Sequence, residues 1–155
     1  MGKAKKIGIV IGIDIAAVII ALFIFGFVPG THHSIIPIPH TLIIVNSMVR
    51  VEPGQYGYYT FNVPSDASNA LVSGTFTAGG GSGNDIKVAI LDEQNFINYR
   101  NNHQANAYYS SGQETVGNIS VKVPSGQTLY LVYDNTFSVV SSKEVTTNVS
   151  LTYTS

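Results

Sequence analysis

The stretch KEVTTNVSLTYT, residues Lys143–Thr154, decides the fold. Val145, Thr147, Val149, Leu151 and Tyr153 fall on one side of an extended chain, and Thr146, Asn148, Ser150 and Thr152 fall on the other. Side chains alternate across a strand with a period of two, so the pattern describes a strand with one face on a core and one in solvent. Toward the N terminus, runs rich in Val, Ile, Tyr, Phe and Thr recur at 41–51, 56–63, 70–78, 85–92, 105–110, 114–123 and 128–134. Turn residues divide them: Glu52-Pro53-Gly54, Pro64-Ser65-Asp66, the glycine run at 79–83, and Pro124-Ser125-Gly126. Short strands at such spacing predict an all-β antiparallel sandwich. DIKVAILD, at 85–92, is apolar on both faces through Ala89 and Leu91 and predicts a central strand. Two facing sheets are expected to bury Ile86, Val88, Ile90, Ile119, Val121, Leu129, Leu131, Val149 and Leu151 between them.

The N-terminal segment has a different character. IGIVIGIDIAAVIIALFIFGFV, at 7–28, holds a single charge, Asp14. As a helix at about 1.5 Å per residue it reaches roughly 33 Å, enough for a hydrocarbon core of about 30 Å, and it predicts one transmembrane helix. Lys3, Lys5 and Lys6 precede it, whereas no Lys or Arg follows before Arg50. The positive-inside rule then places 1–6 in the cytoplasm and the rest of the chain outside, in a single-pass cell-membrane protein. The run exceeds the h-region of a signal peptide, and Phe25-Gly26-Phe27-Val28-Pro29 offers no small-x-small cleavage site, so an uncleaved signal-anchor is expected. Gly8, Gly12 and Ala16 repeat every four residues and share a helix face, a spacing that lets two helices approach. Asp14 in the membrane calls for protonation, hydration or a polar neighbour. Pro29-Gly30 ends the helix, and THHSIIPIPH at 31–40 completes a stiff Pro/His linker at 29–40. The β-sandwich domain then occupies 41–155.

Composition narrows the function classes. Residues 31–155 carry five Lys or Arg against eight Asp or Glu, a net charge of −3 with no basic block, which argues against nucleic acid as a partner. The chain contains no cysteine, which removes disulfides, thiol nucleophiles, Cys-bound metal and lipid acylation at cysteine. His32, His33 and His40 lack an acidic or cysteine neighbour, so a metal site is not expected there. Asp85, Asp92, Glu93 and Asp134 have the oxygen chemistry for Ca²⁺ but match no known loop spacing. AGGGSGND at 78–85 opens a strand and not a helix, so it reads as an inter-sheet turn rather than a phosphate loop. His103 is the only histidine in the sandwich at 41–155, and no nucleophile-elbow motif accompanies it; neither an enzyme nor a cofactor is expected.

The stretch NFINYRNNHQANAYYSS, at 95–111, is poorly periodic and concentrates Tyr99, Arg100, His103, Tyr108 and Tyr109 among amide side chains. Tyr and Arg with adaptable polar groups are the composition of recognition surfaces, which makes these five the candidate recognition residues. The alternative is that the tyrosines only cover the sandwich. Asn118-Ile119-Ser120 and Asn148-Val149-Ser150 match the glycosylation acceptor pattern, which also arises by chance in an Asn- and Ser-rich chain. Asn148 falls on the solvent face of its strand and is the better of the two.

Four stretches within 54–154 carry a family resemblance: GQYGYYTFNVP at 54–64, VSGTFTAGGGSGNDIKVAILDEQNF at 72–96, ETVGNISVKVPSG at 114–126, and YLVYDNTFSVVSSKEVTTNVSLTY at 130–153. They resemble the emp24/gp25L/p24 family, whose lumenal module is the GOLD domain, a β-sandwich. The shared features are a Gly-rich turn leading into a strand of the type NDIKVAIL, and an Asn-x-Phe-Ser turn followed by a Lys-containing strand. The resemblance implies a GOLD or jelly-roll-like sandwich with a binding role. The anchor here comes first, and neither a heptad segment nor a cysteine is present, so vesicle-coat recruitment does not carry over. The chain is thus read as a membrane-anchored, extracytoplasmic, non-enzymatic interaction module with a protein partner or self-association. The alternative is a self-assembling cell-surface or pilin-like filament subunit. Against that stand the absence of a processing site at Lys6-Ile7 and the helix stop at Pro29.

Overall fold

The computed structural model describes residues 37–81 and 83–155. The expected membrane helix at 7–28, with Gly8, Gly12, Asp14 and Ala16, the basic segment at 1–6 and the linker up to residue 36 lie outside the described residues. Among the described residues no helix is long and apolar enough to cross a membrane.

Among the described residues eight strands and one helix follow one another: β1 (Pro39–Val51), β2 (Tyr56–Asn62), β3 (Ser68–Gly79), β4 (Ile86–Asp92), α1 (Glu93–Arg100), β5 (Tyr109–Glu114), β6 (Val116–Lys122), β7 (Thr128–Asp134) and β8 (Lys143–Thr154). They form two four-stranded antiparallel sheets, ordered β1-β8-β3-β6 and β2-β7-β4-β5, and the sheets pack as a sandwich. Every connection but the one from β4 to β5 crosses from one sheet to the other.

β8 behaves as its alternation predicts. Val145, Thr147, Val149 and Leu151 are buried, Thr146 and Asn148 are exposed, and the strand lies between β1 and β3. Of the nine expected core residues eight are buried; Val121 is half-buried because β6 is an edge strand. Phe76 and Tyr133 add the largest side chains of the interior. Gly117 stands opposite Phe76 in the ladder, and a methyl group there would overlap the Phe76 ring. Tyr133 brings a hydroxyl into the core, where it shares a 2.8 Å hydrogen bond with Thr147 Oγ1, and that hydroxyl also reaches Thr75 O at 3.1 Å. This chain of bonds ties β7 of one sheet to β8 and β3 of the other. Burial pushes the Tyr133 phenol up to about 12.

The segment after β4 departs from the sequence reading. A strand was expected at 105–110, with polar loop before it; instead Glu93–Arg100 forms α1, and β5 begins at Tyr109. Asp92 caps the helix, its Oδ1 accepting from Asn95 N at 2.7 Å. At the other end Asn102 adopts φ of 55°, while Asn102 N donates to Tyr99 O and His103 N to Asn98 O, a Schellman closure. The helix lies across the outer face of the second sheet, where Phe96 joins Leu91 and Val132 in a separate apolar cluster. This roof explains why β4 is apolar on both faces.

Candidate functional site

The strand registers sort the loops to two ends. Pro37, Ser155 and the connections after β2 and β6 share one end, where Ile38 and Ser155 exchange backbone hydrogen bonds of 3.0 and 3.2 Å. The turn between β1 and β2, the glycine run between β3 and β4, the β5–β6 turn and the β7–β8 loop share the opposite end.

The five candidate recognition residues do not form one patch. Tyr99 is half-buried beneath α1, its ring edge-on to Tyr56 at 5.6 Å and its hydroxyl toward Asp134. Burial first, then the Asp134 carboxylate, hold its phenol well above the ordinary range. Arg100 is exposed, with its guanidinium carbon 5.8 Å from the centre of the Phe96 ring. His103 is exposed in the turn that closes α1. Tyr108 and Tyr109 are half-buried against the main core, the first donating to Gln127 Oε1 at 3.1 Å and the second to Asn118 O at 3.1 Å. Burial raises both phenols, with Asp92 adding to the effect at Tyr108 and Glu114 at Tyr109. Phe96, which sequence reasoning did not single out, organises this face: it stacks on Tyr130 at 4.1 Å and meets Tyr58 at 4.8 Å.

The possible Ca²⁺ ligands are divided between the two ends. Asp92 and Glu93 start α1 beside Gly126, Gln127 and Thr128, lining an open polar depression of about 440 Å³. Asp92 already accepts from the backbone and side chain of Asn95. Asp134 and Asp85 stand at the opposite end, where Asp134 Oδ1 accepts from Thr136 N at 2.6 Å. Among the described residues no group of three or more His, Asp or Glu is placed to hold a metal ion. His40 stacks on Tyr153 at 4.9 Å and bonds Ser155 Oγ at 2.9 Å.

The end opposite Pro37 holds the most distinctive arrangement. The loop at 135–142 presents Val139 and Val140, 88% and 86% exposed. Beneath this tip the backbone is braced. Asn135 is wholly buried, and its Nδ2 points to Val51 O at 3.2 Å, Glu52 O at 3.2 Å and Ser141 O at 2.9 Å. Its own backbone exchanges bonds with Gln55 O at 2.9 Å and Gly54 N at 3.1 Å. Ser138 Oγ donates to Ser141 O at 2.9 Å and accepts from Ser141 N at 3.2 Å. The glycine run supports the loop by close approach: at Gly80 and Gly81, both with positive φ, a side chain would collide with Ser142 O and Ser141 respectively. Lys143, only 1% exposed, meets Asp85 Oδ1 at 2.9 Å, and Gln113 Nε2 donates to Asp85 Oδ2. Gln113 first, then Lys143, hold the Asp85 carboxyl below the usual range. Phe137 sits between Lys87 and Lys143, at 5.2 and 5.9 Å from ring centre to ammonium nitrogen.

The tip could have been flagged in the sequence by the Asn135-Thr136-Phe137-Ser138 turn, but Val139-Val140 alone reads as one more apolar pair. In comparisons with known proteins, no family model and no curated protein matches the chain.

Proposed function

We propose that the chain is a single-pass, N-terminally anchored protein that displays one GOLD or jelly-roll-like sandwich outside the cytoplasmic membrane and acts as a non-enzymatic interaction module. The observation that carries the binding role is the braced tip at Val139 and Val140. Adjacent valines exposed on a loop whose backbone is held by Asn135, Ser138 and the glycine run form a preorganised apolar peg. A peg that is already ordered loses little conformational entropy when it enters an apolar cavity of a protein partner. The apolar run at 7–28 and its basic flank support the anchor and its orientation. The near-complete alternation of successive strands between the sheets supports the jelly-roll-like reading.

A second reading, self-assembly at the cell surface, is favoured by β1. This thirteen-residue edge strand exposes Leu42, Ile43 and Met48, and an unpaired edge of that length is a template for strand addition from another copy.

The two readings part on one experiment. Protease added to intact cells should digest the sandwich, and protection of the sandwich would overturn the topology. In the same membranes, V139S/V140S should abolish capture of a heterologous partner while leaving the domain folded. Unchanged capture would remove the tip from consideration, and loss of self-capture on placing Lys at Ile43 would favour the second reading.

A further inference from the structure

The outer face of the first sheet brings the two acceptor sequences into register. Asn148 on β8 stands beside Thr75 on β3, and Thr75 stands beside Asn118 on β6. The next row is Ser150, Ser73 and Ser120. Both asparagines and both of their serines therefore project from one face with a single strand between them, while the intervening Ile119 and Val149 point into the core. Two strand spacings separate the asparagines by about 10 Å. Asn118, Asn148, Thr75 and Thr146 are exposed, and α1 packs only on the other sheet.

We propose that Asn118 and Asn148 both carry N-linked glycans, which rise side by side from this face and cover it. The proposal rests on the extracytoplasmic placement argued above. In the reaction, each asparagine Nδ2 forms a bond to the anomeric carbon of a polyprenyl-phosphate-linked sugar. The bond from that carbon to the phosphate oxygen breaks, the polyprenyl phosphate leaves with the electron pair, and the amide gives up one proton. The serine two residues on supplies the hydroxyl through which the acceptor is recognised. Asn148 lies in a strand paired on both sides, so its acceptor segment reaches a transferase before β1 and β3 close on it. Around the two asparagines the face is built from Thr75, Thr146, Ser73, Ser120 and Ser150, which hydrogen-bond sugar hydroxyls, with the exposed Ile43, Met48 and Val116 at its margins. With this face covered, the loop end and the side roofed by α1 remain for a protein partner.

The test is intact-mass and peptide mass spectrometry of the full chain from its native membrane. Two glycan increments are expected, N118Q and N148Q each removing one. S150A should remove the increment at Asn148, whereas S150T, which keeps the acceptor pattern, should retain it. An unmodified mass in a chain whose sandwich is digested by protease on intact cells overturns the proposal and leaves the topology standing. An unmodified mass in a protected sandwich overturns both. A single increment confined to one asparagine overturns the paired arrangement.

Discussion

The outer face of the first sheet meets solvent with Thr75, Thr146 and Asn148, whereas that of the second lies under α1, with Phe96 flat against Tyr130. Both faces belong to sheets of four strands with the same antiparallel pairing. What differs is the sequence of the strands: β8 alternates apolar and polar residues, while β4 and β7 bury residues on both sides. The sandwich therefore has one layer, the first sheet, on one side of its core and two, the second sheet and α1, on the other. The asymmetry leaves a surface that is polar along β8 and β3, with Ile43, Met48 and Val116 on its two edge strands, on one side and an aromatic one on the other, and it turns Tyr99 from a surface group into part of the roof.

The largest effect should come from removing the roof. Phe96→Ala empties the centre of the aromatic cluster and is expected to cost about 3–5 kcal/mol in urea unfolding; a loss below 1 kcal/mol would mean that α1 is dispensable. Asn135→Ala withdraws the amide shared by Val51 O, Glu52 O and Ser141 O. About 1–3 kcal/mol should be lost, and hydrogen exchange at 136–142 should accelerate while α1 keeps its protection.

pH sharpens the picture in two windows. The Asp85 carboxyl is depressed in the folded state, so the stability that it contributes is fully present above its unfolded value of 3.8 and is lost as pH falls through its lower folded value. Asp85→Asn should flatten acid unfolding in that range. The Tyr133 phenol is raised to about 12, so stability is full below 10 and declines as pH rises through the folded value; Tyr133→Phe should remove that part of the alkaline decline. The smallest effect belongs to the outer face of the first sheet, where no other part of the described domain packs and Thr146→Lys should change stability by less than about 0.5 kcal/mol. A larger loss would show that this face is packed against something.

Much of this architecture was legible in the sequence. The alternation from Lys143 to Thr154 and the doubly apolar 85–92 correctly predicted an outer-faced and a central strand, because burial on one or two faces writes itself directly into the period. α1 was not legible for the complementary reason: it buries only Phe96, so its eight residues carry no helical apolar stripe. Its signals were at the ends, Asp92 as cap and Asn102 as the positive-φ closing residue. The recognition stretch at 95–111 looked like one surface because its residues are adjacent in sequence. The helix and the following loop send Tyr99 beneath α1, Arg100 and His103 into solvent, and Tyr108 and Tyr109 against the core. The tip depends on contacts from residues 51–55, 80–81 and 135–142, which no local pattern could bring together.

The most direct test of the account is photo-cross-linking of the full chain in its native membrane, with the photoreactive residue placed at Val139 in one variant and at Thr146 in another. The account predicts one heterologous protein product from Val139, in near-equal amount with the chain, and none from Thr146. A product from Thr146 but not Val139, or only a ladder of the chain with itself, would contradict it.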